Sequence, residues 1–201
     1  MSIAVTETPS QAVVQNPPRK RWTRSECEVI EATGLFEQER VELIDGEIIS
    51  RMGKKRPHVN VVSRAYGWLF RVFDSRHVNC HAPIDVAPED NPTNEPVPDL
   101  IVLKQSYTEF TTTTPGPDDL ELVIEVADTE LTFDLTVKAA LYARAGIVDY
   151  WVADVSGRRF IVHRDPQDGR YQSIVAFSEQ ESVAPLAAPD SAFPVARAFP
   201  A

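Results

Sequence analysis

The chain has 201 residues, 43% of them hydrophobic and 25% charged, enough for one globular domain with an apolar core and a squeeze for two. Two cysteines, Cys27 and Cys80, are too few for a disulfide framework, and no stretch approaches the roughly 18 apolar residues of a membrane span. No basic segment followed by a long apolar run opens the sequence, so the expected compartment is the cytoplasm, with no membrane partner. The net charge of −10 argues against a protein coated with phosphate-binding surface, but it is unevenly spread: residues 19–76 carry 12 Lys/Arg against 9 Asp/Glu, residues 77–201 carry 8 against 20.

Residues 1–18, with three prolines and many small or polar side chains, offer too little apolar surface to offset ordering and are expected to form a disordered leader. Thr23 or Ser25 can cap a short helix running through "ECEVIEAT" and stopping at Gly34. "RVELIDGEIISR" places Asp45-Gly46 between two alternating runs, a strong hairpin signal. Basic residues concentrate at 19–21 and in "RMGKKRPH", 51–58. Such runs usually mark solvated loops, a cationic patch on an acidic body being the alternative.

Val62, Ala65, Tyr66, Leu69, Phe70 and Phe73 recur at three-and-four spacing, predicting an amphipathic helix over 59–73. "CHAPIDVAP" alternates as a strand, "NPTNEP" punctuates, and "VPDLIVLK" reads as a buried strand. After an exposed loop over 111–119 comes a second buried strand, 120–126, then a helix from about Phe133 to Arg144 ending at Gly146. "DYWVADVS", "RFIVHRD" and "YQSIVAF" finish as strands before an Ala/Pro-rich tail. The order predicts a mixed α/β architecture around one sheet, without internal repeats.

Glu125 interrupts an apolar run flanked by Val123, Ile124 and Val126, where charge is expensive unless it has a use. Asp99 follows Pro98 at the start of the other buried strand, and neighbouring strands would bring the two carboxylates together at one edge of the sheet. Paired carboxylates form a hard-oxygen site suited to Mg²⁺, with Mn²⁺ able to substitute. Lys138, 13 residues after Glu125 in the following helix, can aim its ammonium at the same place, to orient or deprotonate a water or to stabilise charge on a phosphate. Glu42, at the start of the hairpin, is the natural fourth member. The order Glu42, Asp99, Glu125, Lys138 is that of a one- or two-metal phosphodiesterase site.

Other candidates have simpler readings. Asp128 and Asp134 are expected to cap the following helix, and Tyr142, Tyr150 and Trp151 to fill the core. His77, Cys80 and His81 in "HVNCH" match no common zinc spacing and lack a second half. His58 either approaches a phosphate or simply begins a helix.

"VELIDGEI", "RPH", "EPVPDLIVL", "LVIEVADTEL" and "FDLTVKAALYARAGIVDYWVAD", in that order from about Trp22 to Phe199, closely resemble the Uma-two family, a bacterial group in the PD-(D/E)xK nuclease superfamily. The resemblance implies a restriction-endonuclease-like domain over 19–201, a mixed central β-sheet flanked by helices, and Mg²⁺-dependent phosphodiester cleavage. Carried over by position, Asp99 resembles the metal-binding Asp, Glu125 the second acidic ligand and Glu42 an accessory acid. The superfamily lysine stands two residues after that second acid, where this chain has Ala127. In the family a lysine on the next helix takes its place, and Lys138 occupies that position. Two functions follow as expectations: an endonuclease acting on DNA, most simply as a homodimer, or a nuclease-fold binding or regulatory module without catalysis.

Overall fold

The computed structural model of the protein describes residues 18–51 and 54–199. The expected leader therefore lies outside the described residues except for Pro18, as do Met52 and Gly53 of the basic loop.

The first helix, α1 (Arg24–Glu31), begins where the sequence says it should. Thr23 accepts from the Glu26 amide while Glu26 reaches back to the Thr23 amide, a capping box that satisfies two otherwise orphaned donors. The hairpin follows as β1 (Val41–Ile44) and β2 (Glu47–Ser50). Its turn residues, Asp45 and Gly46, both have positive φ (48° and 72°), as the Asp-Gly pair favours. A Cβ on Gly46 would come within 2.8 Å of the Arg21 side chain, so glycine is required there for space as well. The hairpin forms its own two-stranded sheet, tied to residues 93–95 by the Leu43–Glu95 bridge and by the Gly46 amide, which donates to the Thr93 carbonyl.

The central sheet has six strands: β3 (Val78–Cys80), β4 (Leu100–Leu103), β5 (Leu120–Ala127), β6 (Asp149–Asp154), β7 (Arg159–Gln167) and β8 (Arg170–Phe177), hydrogen-bonded in that order. The β5–β6 pair is parallel and the other pairs are antiparallel, which makes the sheet mixed as expected. A parallel pair needs a crossover, supplied by a continuous helix over 131–144, α3. The other long helix, α2 (Arg56–Val72), carries Pro57 in its first turn, where the missing amide hydrogen is harmless, so it starts three residues before the periodicity suggested.

The two helices cover opposite faces. Val61, Ala65, Trp68 and Leu69 of α2 pack with Leu122, Ile124 and Val126 of β5; Ala139, Leu141 and Tyr142 of α3 pack with Val123 and Ala127. Alternation along β5 thus feeds two cores, which is why its apolar run is nearly unbroken. Each buried Leu, Ile or Val contributes about 1.5–3 kcal/mol relative to staying in water. The alternation also assigns Glu125, between Ile124 and Val126, to the α3 face.

Two expectations are corrected. "CHAPIDVAP" is not a strand beyond Cys80, because His81 adopts a positive φ of 52° and Pro83 has no amide to donate. Its backbone is tied instead to Asp99, Pro96 and Pro115 by the amides of His81, Ile84 and Asp85. Neither Asp128 nor Asp134 caps α3: Glu130 holds the cap position and Asp134 lies inside the helix. Among the described residues no helix is long and apolar enough to cross a membrane.

Candidate active site

Glu42 comes from β1, Asp99 from the residue preceding β4, Glu125 from β5 and Lys138 from α3, and the structure brings all four together. Leu100 pairs with Ile124 across β4–β5, so Asp99 and Glu125 are the next residues along the same end of the sheet. The Val126 amide donates to Asp99 Oδ2 at 2.9 Å, which fixes that carboxylate against β5. Lys138 Nζ bridges Glu42 Oε2 at 2.8 Å and Glu125 Oε1 at 2.7 Å. Tyr142 donates to the same Glu125 oxygen at 3.0 Å, and the Val97 amide donates to Glu42 Oε2 at 3.2 Å. All four charged side chains are buried.

Lys138 reaches inward because α3 is π-helical from Asp134 to Lys138: the Ala139 amide donates to the Asp134 carbonyl, one residue further back than in an α-helix. The extra residue turns Asp134 and Lys138 both toward the sheet, and π-bulges of this kind recur at functional sites.

Sequence reasoning missed Arg51. Its guanidinium lies among the three acids, with Nη1 3.4 Å from Glu42 Oε1, and Nη2 3.6 Å from Asp99 Oδ2 and 3.1 Å from Glu125 Oε2. Nη1 also lies 3.3 Å from Glu130 Oε2, on a half-exposed side chain at the rim. Within the basic run Arg51 looked solvated, yet period two along the hairpin could have found it. Glu42 pairs with Ile49, and Arg51, two residues on, shares that face. Lys54 was missed for the same reason and pairs with Asp99 Oδ1. His58 Nε2 approaches that oxygen to 3.3 Å and His81 Nδ1 to 3.6 Å, whereas His77 turns away to the Leu103 carbonyl, so "HVNCH" is divided between two places.

Burial raises the Asp99 pKa, but His58, Lys54 and Arg51 outweigh it and hold the carboxyl well below the usual range. For Lys138 burial alone would favour the neutral amine; Glu125 and Glu42 reverse that and raise its pKa, so it stays an ammonium. Asp134 goes the other way. Burial, reinforced by the Glu125 charge, lifts its carboxyl to about 8, and its Oδ1 has no hydrogen-bond partner. Glu42 Oε1 is a second buried oxygen without a hydrogen bond.

Three converging carboxylates of hard-oxygen type are the donor chemistry of a Mg²⁺ site, and Arg51 is a cation already seated between them. The donor set therefore fits a divalent ion in kind. Its present spacing is another matter, since among the described residues no group of three or more His, Cys, Asp or Glu side chains is arranged to hold one. The site opens to solvent through two adjoining cavities of about 420 Å³ and 400 Å³ that share Arg40, Arg51, Lys54 and His81. The second cavity is lined by basic groups and no carboxylate, whereas Glu31, Glu37 and Glu39 also line the first.

A mixed six-stranded sheet flanked by helices, with buried acids and a lysine at one end, is a restriction-endonuclease-like fold. The same fold is seen in the crystal structure of a putative nuclease belonging to DUF820 from Anabaena variabilis, which is 16% identical, covers 79% of this chain and 89% of its own, and superposes with a TM-score of 0.63. The Uma2 family model, described as "Putative restriction endonuclease", matches residues 27–196, and the chain belongs to that family. Among curated proteins the chain finds no match.

Proposed function

We propose that the protein is a Mg²⁺-dependent endonuclease that cleaves DNA phosphodiester bonds as a cytoplasmic homodimer, with Mn²⁺ able to substitute. The observation that carries this reading is the convergence of Glu42, Asp99, Glu125 and Lys138 beneath a basic mouth. Asp99, Glu125 and Glu42 would hold the ion, which when bound supplies Lewis-acid polarisation of the phosphate. Because the Lys138 pKa is raised, its role is to orient a water or to stabilise charge on the phosphate, and proton abstraction by it is disfavoured. Arg40, Lys54 and His81 at the mouth would receive the flanking phosphates.

Plasmid nicking tests the reading. Wild-type protein with Mg²⁺ or Mn²⁺ is expected to nick supercoiled DNA, while Glu125→Gln and Lys138→Ala, checked for folding by circular dichroism, lose about a hundredfold or more. Nicking that survives in both folded variants removes these residues from the reaction. A two-fold dimer places two sites for two strands, and light scattering that finds only a monomer of the 22.4 kDa chain would reject that part.

A second reading has its own observation. Arg51, Lys54 and Lys138 already pair with the three carboxylates, as a nuclease fold retained for binding or regulation would allow. It predicts DNA binding without nicking under any divalent ion.

A further inference from the structure

The strongest unexplained feature is Arg51. It is loosely held: its Nε is buried with no hydrogen-bond partner, as is the Glu42 Oε1 it faces, and its contacts to the acids span 3.1–3.6 Å rather than the 2.7–2.8 Å that Lys138 makes with two of them. A guanidinium with a complete site would donate through Nε as well. Among the described residues, Arg51 is also the one side chain that both touches Glu42, Asp99 and Glu125 and lines the cavities at the mouth.

Charge balance sharpens the point. Three buried carboxylates, Glu42, Asp99 and Glu125, with the half-exposed Glu130 at the rim, face three cations, Arg51, Lys54 and Lys138, and the raised pKa of Asp134 leaves that residue close to neutral. A divalent ion added to such a cluster brings surplus positive charge into a buried place, where it is costly. Lys138 is fully buried and has nowhere to go, whereas Arg51 already contacts the rim carboxylate of Glu130. Space agrees with charge, because oxygens that bind Mg²⁺ must close to about 2.1 Å around it, and a guanidinium now stands between them.

We propose that Arg51 is an internal counter-ion that a divalent cation must displace, so that metal entry and delivery of a guanidinium to the mouth are one event. The inference rests on the metal-site reading above and adds to it an order of events. With an ion held by Glu42, Asp99 and Glu125, Arg51 would move outward toward Glu130, where it would stand beside Arg40 and Lys54 to receive a substrate phosphate. Metal and DNA each favour the outward arginine, so each strengthens binding of the other, as reciprocal coupling requires.

Calorimetric titration of Mn²⁺ alone into the full chain tests this. Wild type is expected to bind with a dissociation constant at least tenfold weaker than Arg51→Gln, with Arg51→Lys in between because a shorter cation is expelled more easily. Should Arg51→Gln fail to fold, wild-type protein still reports, because the Nε–H of Arg51, assigned by its loss in Arg51→Lys, should exchange with water faster once Mg²⁺ saturates. Wild type binding as tightly as Arg51→Gln, or an Nε–H whose protection is unchanged by Mg²⁺, overturns the displacement. Binding by Arg51→Gln alone would support Arg51 as the occupant of the ion's place and overturn the Mg²⁺ reading for the native chain. Binding by neither variant nor wild type overturns the metal reading and the displacement with it.

Discussion

The two faces of the central sheet solve the same problem in opposite ways. On the α2 face Trp68 stacks on Trp151 and Phe193 at centroid distances of 6.2 and 4.7 Å, and Phe160 meets Trp151 edge-on, so contact is made by area and shape. On the α3 face the same strand, β5, points Glu125 into a cluster where every charge is countered by another. The aromatic face tolerates small rearrangement because dispersion is spread over many weak contacts. The charged face does not, since removing one member strands its partner in a medium that cannot solvate it. Stability is general on one side and specific on the other, and the residues able to do chemistry lie on the specific side.

The comparison is broken most severely by Glu125→Gln, which leaves Lys138 and Arg51 short of an anion and is expected to cost about 3–5 kcal/mol by urea or thermal unfolding. Trp151→Ala on the other face should cost a similar amount, about 3–5 kcal/mol, through the cavity it leaves and the donor that buried Asp149 loses. The two differ in their response to metal. Mn²⁺ at 100 times its dissociation constant should restore about 2.7 kcal/mol to Trp151→Ala, as to wild type, and much less to Glu125→Gln. Equal restoration of both would place any ion elsewhere.

A smaller effect sharpens the electrostatic side. The Asp134 pKa is raised in the folded state, from an ordinary value near 3.8 to about 8, by burial and the Glu125 charge. Between those values the folded protein holds a proton that the unfolded chain has lost, so stability from this group is complete below about pH 4 and is lost as pH rises through about 8. Asp134→Asn cannot titrate and should flatten the stability–pH curve across that window, relative to wild type. An unchanged slope would show that Asp134 is ionised when folded. Asp99 has the opposite sign, its stabilisation being present above the ordinary Asp range and lost on acidification.

Much of this was legible in the sequence, for definable reasons. Asp45-Gly46 gave the hairpin because few pairs accept two positive φ angles, and the near-continuous apolar run of β5 made Glu125 conspicuous. The four residues named from spacing and resemblance do meet in space. Arg51 was obscured by its neighbours, since a basic run reads as solvated until the pleat is followed one residue further. Asp134 was misread because the helix begins at Leu131, two residues before its periodicity suggested, which moves Asp134 from the cap region to the interior. His81–Ala87 failed as a strand because alternation registers which face is buried, and says nothing of whether a partner strand exists.

The hairpin β1–β2 stands apart from the six-stranded ladder yet supplies Glu42 and Arg51, one acid and one base. Should it peel away, what stays behind on the sheet keeps its net charge, so the departure leaves no bare excess of either sign. Local opening of that one short element would therefore dissolve the charged cluster with the aromatic face intact, at the cost of separating Lys138 from Glu42. The same holds during synthesis: residues 42 and 138 meet only after β5 and α3 have been made, and until then the chain carries the parts of a site without the site itself.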